Sequence, residues 1–208
     1  TTDGAGAVTF EDAGGGGGNQ IVAPTAADVN DANYDVLASG PVWGASDTSA
    51  EINIGNSAKY YPFLSQATGT VSAIAINVLT TAASVNCLVG IYSSDAAGLP
   101  DSLLGYAAID AGSSGVIEQT SITGTITLTK GTQYYTGICR DSSAAFPGIS
   151  ATTNNSANGM RSLGIGANPH TSNIVSMYDF SSLALPATVT QANLYTSSTG
   201  HSCIGIKF

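Results

Sequence analysis

The stretch Leu88–Gly105, LVGIYSSDAAGLPDSLLG, decides how this chain is read. An apolar run ends at Ile91-Tyr92, and the sequence then turns polar through Ser93, Ser94 and Asp95. Gly98, Pro100, Asp101 and Ser102 follow, before Leu103-Leu104 restore apolar character. Such a loop can carry a nucleophile or a metal, or it can simply return one strand to the next. Gly opens left-handed backbone, Pro fixes φ, and Ser and Asp side chains bond to their own turn. The composition therefore reads as a bend between two strands, with the serines and aspartates as turn hydrogen-bonders.

Outward from this bend the period is two. Val85, Cys87, Val89 and Ile91 share a face in SVNCLVGIY. Ile74, Ile76 and Val78 oppose Ala73, Ala75 and Asn77 in TVSAIAINVLT. GTITLTK sets Thr125, Thr127 and Thr129 against Ile126 and Leu128, and HSCIGIKF aligns Ser202, Ile204, Ile206 and Phe208. Alternation rich in β-branched residues marks strands with one buried face. EINIGN, KYYPFLS, QYYTGICRD and GMRSLGIG are further strands, with Pro62 marking an edge or a strand start. Helical spacing is scarce: TAADVNDANYDVL offers one short helix, capped by Thr25, with Val29 and Leu37 near one face. Many short strands between Gly/Ser/Asn/Pro turns predict an all-β fold, a single antiparallel β-sandwich of jelly-roll type over 41–208.

Residues 1–40 read differently. Eight acids and no Lys or Arg fall within residues 1–51, and five glycines run from Gly14 to Gly18. Backbone entropy opposes any isolated helix or strand there. This segment is expected to be an extended arm that orders against a neighbouring subunit, with Phe10, Gly14, Gly18, Ile21 and Val22 as its assembly residues.

Composition narrows the function classes. Charged residues make up 9% of the 208-residue chain, against about 25% in typical soluble domains. The net charge of −9 opposes binding to a phosphate backbone, so no nucleic-acid partner is expected. No apolar run reaches about 18 residues, and no membrane insertion is expected. Cys87, Cys139 and Cys203 are too few for a disulfide framework and read as small buried hydrophobes.

An active site is hard to assemble from this inventory. Only His170 and His201 offer imidazoles, no G-x-S-x-G elbow is present, and the three Glu, including Glu118, are not distinctively placed. A calcium site is the weak metal candidate. Asp31, Asn33 and Asp35 have the spacing of EF-hand ligands, but Val36 and Val42 stand where that loop needs Gly and Glu. Asp95 and Asp101 are a second oxygen-ligand candidate. No cofactor is expected. Among the aromatic residues, Trp43, Tyr60 and Tyr61 are the candidates for stacking against a sugar.

The run SAIAINVLTTAASVNCLVGIYSSDAAGLPDSLLG, followed by GTITLTKGTQYYTGICRD, resembles a β-sandwich module of tailed-bacteriophage structural proteins. The likeness lies in a T-T-A-A turn, a strand ending in G-I-Y, an Asp/Gly loop and P-x-S-L-L, and it covers about residues 58–150. It is a pattern of structural residues with no invariant chemical group. The resemblance implies a non-enzymatic virion-surface protein, a tail or head fibre or a capsid-decorating subunit. Its expected partners are sister subunits, in a trimer or higher oligomer, and capsid or tail proteins held through the arm. A host surface glycan is a further expected partner. Two alternatives are a receptor- or carbohydrate-binding module of a tail fibre and a donor-strand subunit of a surface filament.

Overall fold

A computed structural model describes residues 36–37, 50–53, 57–152, 176–179, 183–190, 192, 194–197, 201–202 and 204–208. Their strands are β1 (Val36–Leu37), β2 (Ala50–Asn53), β3 (Ala58–Leu64), β4 (Gly69–Thr70), β5 (Ala73–Thr80) and β6 (Asn86–Ser94). Then follow β7 (Pro100–Asp110), β8 (Gly115–Gln119), β9 (Ile122–Gly124), β10 (Thr127–Leu128) and β11 (Gln133–Arg140). The last are β12 (Gly148–Thr152), β13 (Ser176–Asp179), β14 (Tyr195–Ser197), β15 (His201–Ser202) and β16 (Ile204–Lys207). All the pairings are antiparallel.

The strands form two main sheets. One runs β14-β13-β3-β11-β6-β7-β9. The other centres on β5, with β8 along one side and β16 then β12 along the opposite side. The alternation read from the sequence explains why the sheets stack. Ile74, Ile76, Val78, Ile149, Ile204 and Ile206 of the β5 sheet join Tyr61, Phe63, Cys87, Val89, Ile91, Ile109 and Ile138 of the other in one buried cluster. The all-β antiparallel sandwich expected from periodicity is what these residues build.

Three expectations need correction. Sheet pairing reaches back to Val36-Leu37, which pair with Ile206 and Gly205 of β16. The sandwich therefore begins before residue 41, and Leu37 belongs to a strand rather than a helix. Second, Pro62 lies inside β3, with Tyr135 of β11 opposite it. On its other side, the pairs that the described residues of β13 make are with Ala58, Lys59 and Tyr60, so among the described residues no ladder partner on that side needs an N–H from Pro62.

Third, one-sided burial is too simple. A second cluster, with Ala58, Tyr60, Tyr92, Tyr135, Cys139 and Val189, lies on the opposite face of the β3-β11-β6 sheet. Leu185 and Leu194 pack there as well. The cover is a non-repetitive segment tied to the margin of β7: Leu103 N–H donates to Ala187 O at 2.9 Å, and Val189 N–H to Asp101 O at 2.9 Å. Tyr92 Oη donates to Pro186 O at 2.9 Å, which pins the segment over the sheet. Phe10, Gly14, Gly18, Ile21 and Val22 lie outside the described residues, as do GMRSLGIG and Thr25 and Val29 of the proposed helix.

Candidate functional site

The Asp/Gly loop between β6 and β7 is the place to look for chemistry, and its polar groups are engaged in building the bend. Asp95 Oδ1 accepts from the N–H groups of Ala97 and Leu99, each at 2.8 Å. Asp95 N–H donates to Leu99 O at 2.8 Å, and Gly98 N–H to Asp95 O at 3.1 Å. Gly98 takes φ 76°, a left-handed conformation that glycine reaches without a Cβ clash. Its carbonyl receives Tyr135 Oη at 2.5 Å and Gln133 Nε2 at 3.0 Å, anchoring the tip to β11.

The serines are used in the same way. Ser93 Oγ accepts from Ser102 N–H at 3.2 Å, and Ser94 Oγ donates to Gln133 O at 3.0 Å. Ser102 Oγ donates to Asp101 Oδ2 at 3.1 Å. Leu103 and Leu104 then pack against the outer and inner clusters respectively. The reading of this stretch as a bend is matched residue by residue. Asp95 and Asp101 face turn donors, and no group of three or more His, Cys, Asp or Glu that could hold a metal occurs among the described residues.

The role of Asp95 makes a testable difference. D95A removes the acceptor of two backbone N–H groups and should lower stability by about 1–2 kcal/mol. Urea unfolding should show the same loss in calcium and in EDTA. A loss confined to calcium-containing buffer would instead mark Asp95 as a metal ligand.

The aromatic candidates separate clearly. Tyr60 and Tyr61 are 0% and 1% exposed, so neither ring is a stacking platform for a sugar. They sit on opposite faces of β3, Tyr61 in the core between the sheets and Tyr60 under the covering segment. Tyr60 meets Tyr92 edge-to-face, ring centres 5.2 Å apart and planes at 88°. Burial raises the Tyr61 and Tyr92 phenol pKa values well above the ordinary range. Trp43 lies outside the described residues, as do Asp31, Asn33, Asp35, His170 and Cys203.

Cys87 and Cys139 are buried free thiols. Burial first, with the Asp141 carboxylate adding to it, pushes Cys87 up to about 12. Cys139 is pushed to about 12 by burial, then by Cys87 and Asp141. Neither supplies a thiolate near neutral pH. Glu118 takes part in an ion pair with Lys207 across β5. The residues of β5 facing the pair in register are Ala75 and Ala73, short enough for the two side chains to meet above them.

A clamp at the end of β11 has almost no signature in the sequence. Arg140, 1% exposed, donates through Nη1 to Ala145 O and stacks its guanidinium 3.8 Å from the Phe146 ring centre. Asp141 beside it accepts from Asn86 N–H at 2.9 Å and Asn86 Nδ2 at 2.6 Å. These bonds hold the β11–β12 loop, in which Phe146 is 56% exposed. An Arg-Asp pair closing an apolar strand is the only sequence signal for this clamp.

Comparison with protein-family models, with curated proteins and with solved structures gives no match.

Proposed function

We propose that this chain is a non-enzymatic structural subunit on the surface of a tailed-phage particle, built for assembly and adhesion. The observation that carries the reading is the fate of the Ser93–Ser102 loop. Its hydroxyls and carboxylates hold the bend, while the covering segment is bound to the sheet beside it by Tyr92 Oη and by backbone groups of Asp101 and Leu103. The low charge also supports it, because closely packed copies with few charged groups repel one another little. In this reading the sandwich winds as a jelly roll, sister subunits pack around it, and the N-terminal segment is the arm that attaches it to capsid or tail. Immunogold electron microscopy with an antibody to the chain should label the exterior of purified particles. Label on host cells with none on particles would contradict it.

Receptor or glycan contact is the second reading, and one observation favours it. Phe146 is exposed on a loop clamped from beneath, so its ring is held in place before any ligand arrives. F146A should then abolish binding to the glycans that the wild-type chain retains on an array, with thermal stability little changed. Unaltered glycan binding by F146A would remove this loop from the reading.

A further inference from the structure

Strands β13 and β14 are paired neighbours at one margin of their sheet, and β7 lies near the opposite margin, beyond β3, β11 and β6. Residues 183–190, which fall between β13 and β14 in sequence, nevertheless sit against β7. The segment is thus carried to the far side of the sheet from the two strands it joins.

Its attachment there is small. One isolated antiparallel bridge links Ser102 to Thr188, flanked by the bonds from Leu103 N–H to Ala187 O and from Val189 N–H to Asp101 O. Tyr92 Oη adds its bond to Pro186 O. Val189 is buried, and Leu185 is half-buried over Gly90, whose missing Cβ leaves room for it. Ala184, Ala187, Thr188 and Thr190 are exposed. Ordering eight residues costs conformational entropy that so few contacts offset only narrowly. The sandwich beneath is joined by continuous ladders and by the large cluster between its sheets. The two parts therefore differ in stability, and the segment can open while the sandwich stays folded.

Tyr92 is placed to control that opening. The β6–β7 ladder shifts register on both sides of Tyr92, and such irregularities re-aim side chains. Its ring packs edge-on against Tyr60 while its hydroxyl reaches Pro186 O. We propose that residues 183–190 are a strap, latched by the Tyr92 hydroxyl, that releases as a unit from the outer face of the folded sandwich. Closed, it hides the Tyr92 ring and occupies the backbone groups of Asp101 and Leu103. Released, it bares an apolar strip along Tyr92 and Leu103 and frees those backbone groups. The strap gates this surface whether or not the chain belongs to a particle.

Amide hydrogen exchange of the full chain, followed by NMR, reads the release. The Val189 and Leu103 N–H groups are held by the two strap bonds, whereas Ile138 lies in β11, between β3 and β6. Val189 and Leu103 should share one opening constant, at least about tenfold larger than that of Ile138. Y92F removes the latch hydroxyl and should raise both strap constants about two- to tenfold relative to Ile138. S102C/T188C provides the opposite change. The bond pattern makes Ser102 and Thr188 a non-hydrogen-bonded pair, with Cα atoms about 4.5 Å apart, a spacing that a disulfide bridges. Once oxidised, this variant should slow both strap amides toward the rate of Ile138, and reduction should restore them. Strap amides no faster than Ile138, or different constants for Val189 and Leu103, would overturn the proposal. A Y92F effect equal at all three amides would also overturn it, because the hydroxyl would then support the whole sandwich rather than latch the strap.

Discussion

Ile76→Ala should lower the free energy of unfolding by about 3–4 kcal/mol, the cost of emptying a buried site that can relax only partly. Ile76 is fully buried in the middle of β5, with Ile204 of β16 on one side and Ile117 of β8 on the other. Truncation removes three carbons from the cluster that joins the two sheets. The flanking strands are fixed by continuous ladders, so they can collapse only partly into the space. Urea unfolding followed by circular dichroism measures the loss. A loss below about 1 kcal/mol would mean that the two sheets do not share this core.

Gly137→Ala should cost about 2–3 kcal/mol by overpacking, although it adds only one methyl group. A Cβ at Gly137 would lie 2.5 Å from Tyr92 Cε2 and 3.2 Å from Tyr60 Cε1. Tyr92 is poorly able to retreat, being packed edge-on against Tyr60 and bonded to Pro186 O. Moving its ring therefore loosens the 183–190 segment from the sheet. Gly90 faces Gly137 across the β6–β11 ladder and provides the comparison. A Cβ there meets the methyl ends of Leu185 and Leu103 at 2.7 and 2.8 Å, groups that can turn aside. Gly90→Ala should accordingly cost less, about 1 kcal/mol. Thermal unfolding should rank wild type, Gly90→Ala, then Gly137→Ala in falling stability. The reverse order of the two variants would contradict the packing assigned to Tyr92.

The strands are legible in the sequence because burial imposes period two on Ile74-Ile76-Val78, on Cys87-Val89-Ile91 and on Ile204-Ile206. The bend at Asp95 is legible for a different reason. The hydrogen bonds that shape the turn itself are local, made between residues two to nine positions apart and announced by Asp, Gly and Pro, whereas the ties of Ser94 and Gly98 to β11 span 35 to 39 positions and have no such signal.

Burial of the second face is not legible in the same way. The segment that covers Tyr60 and Tyr92 lies about ninety positions beyond Tyr92 in sequence and carries no strand alternation. A faint signal exists in the unalternating runs YYPF and YYTGIC, since a strand buried on both faces reads as continuous rather than alternating. Tyrosines at such positions resemble exposed platforms until the cover is known, which is why residue type alone points Tyr60 and Tyr61 toward a sugar. The Arg140–Phe146 clamp depends on a side chain reaching across its own loop to a carbonyl, and residue types alone do not specify that reach.

Assembly, rather than catalysis, is the central claim, and the protein content of purified particles tests it most directly. Quantitative peptide mass spectrometry on density-gradient-purified phage particles encoding this chain should find it as a stoichiometric component, co-migrating with infectious particles. Recovery only in the soluble fraction of the lysate, with none in the particle band, would contradict the claim.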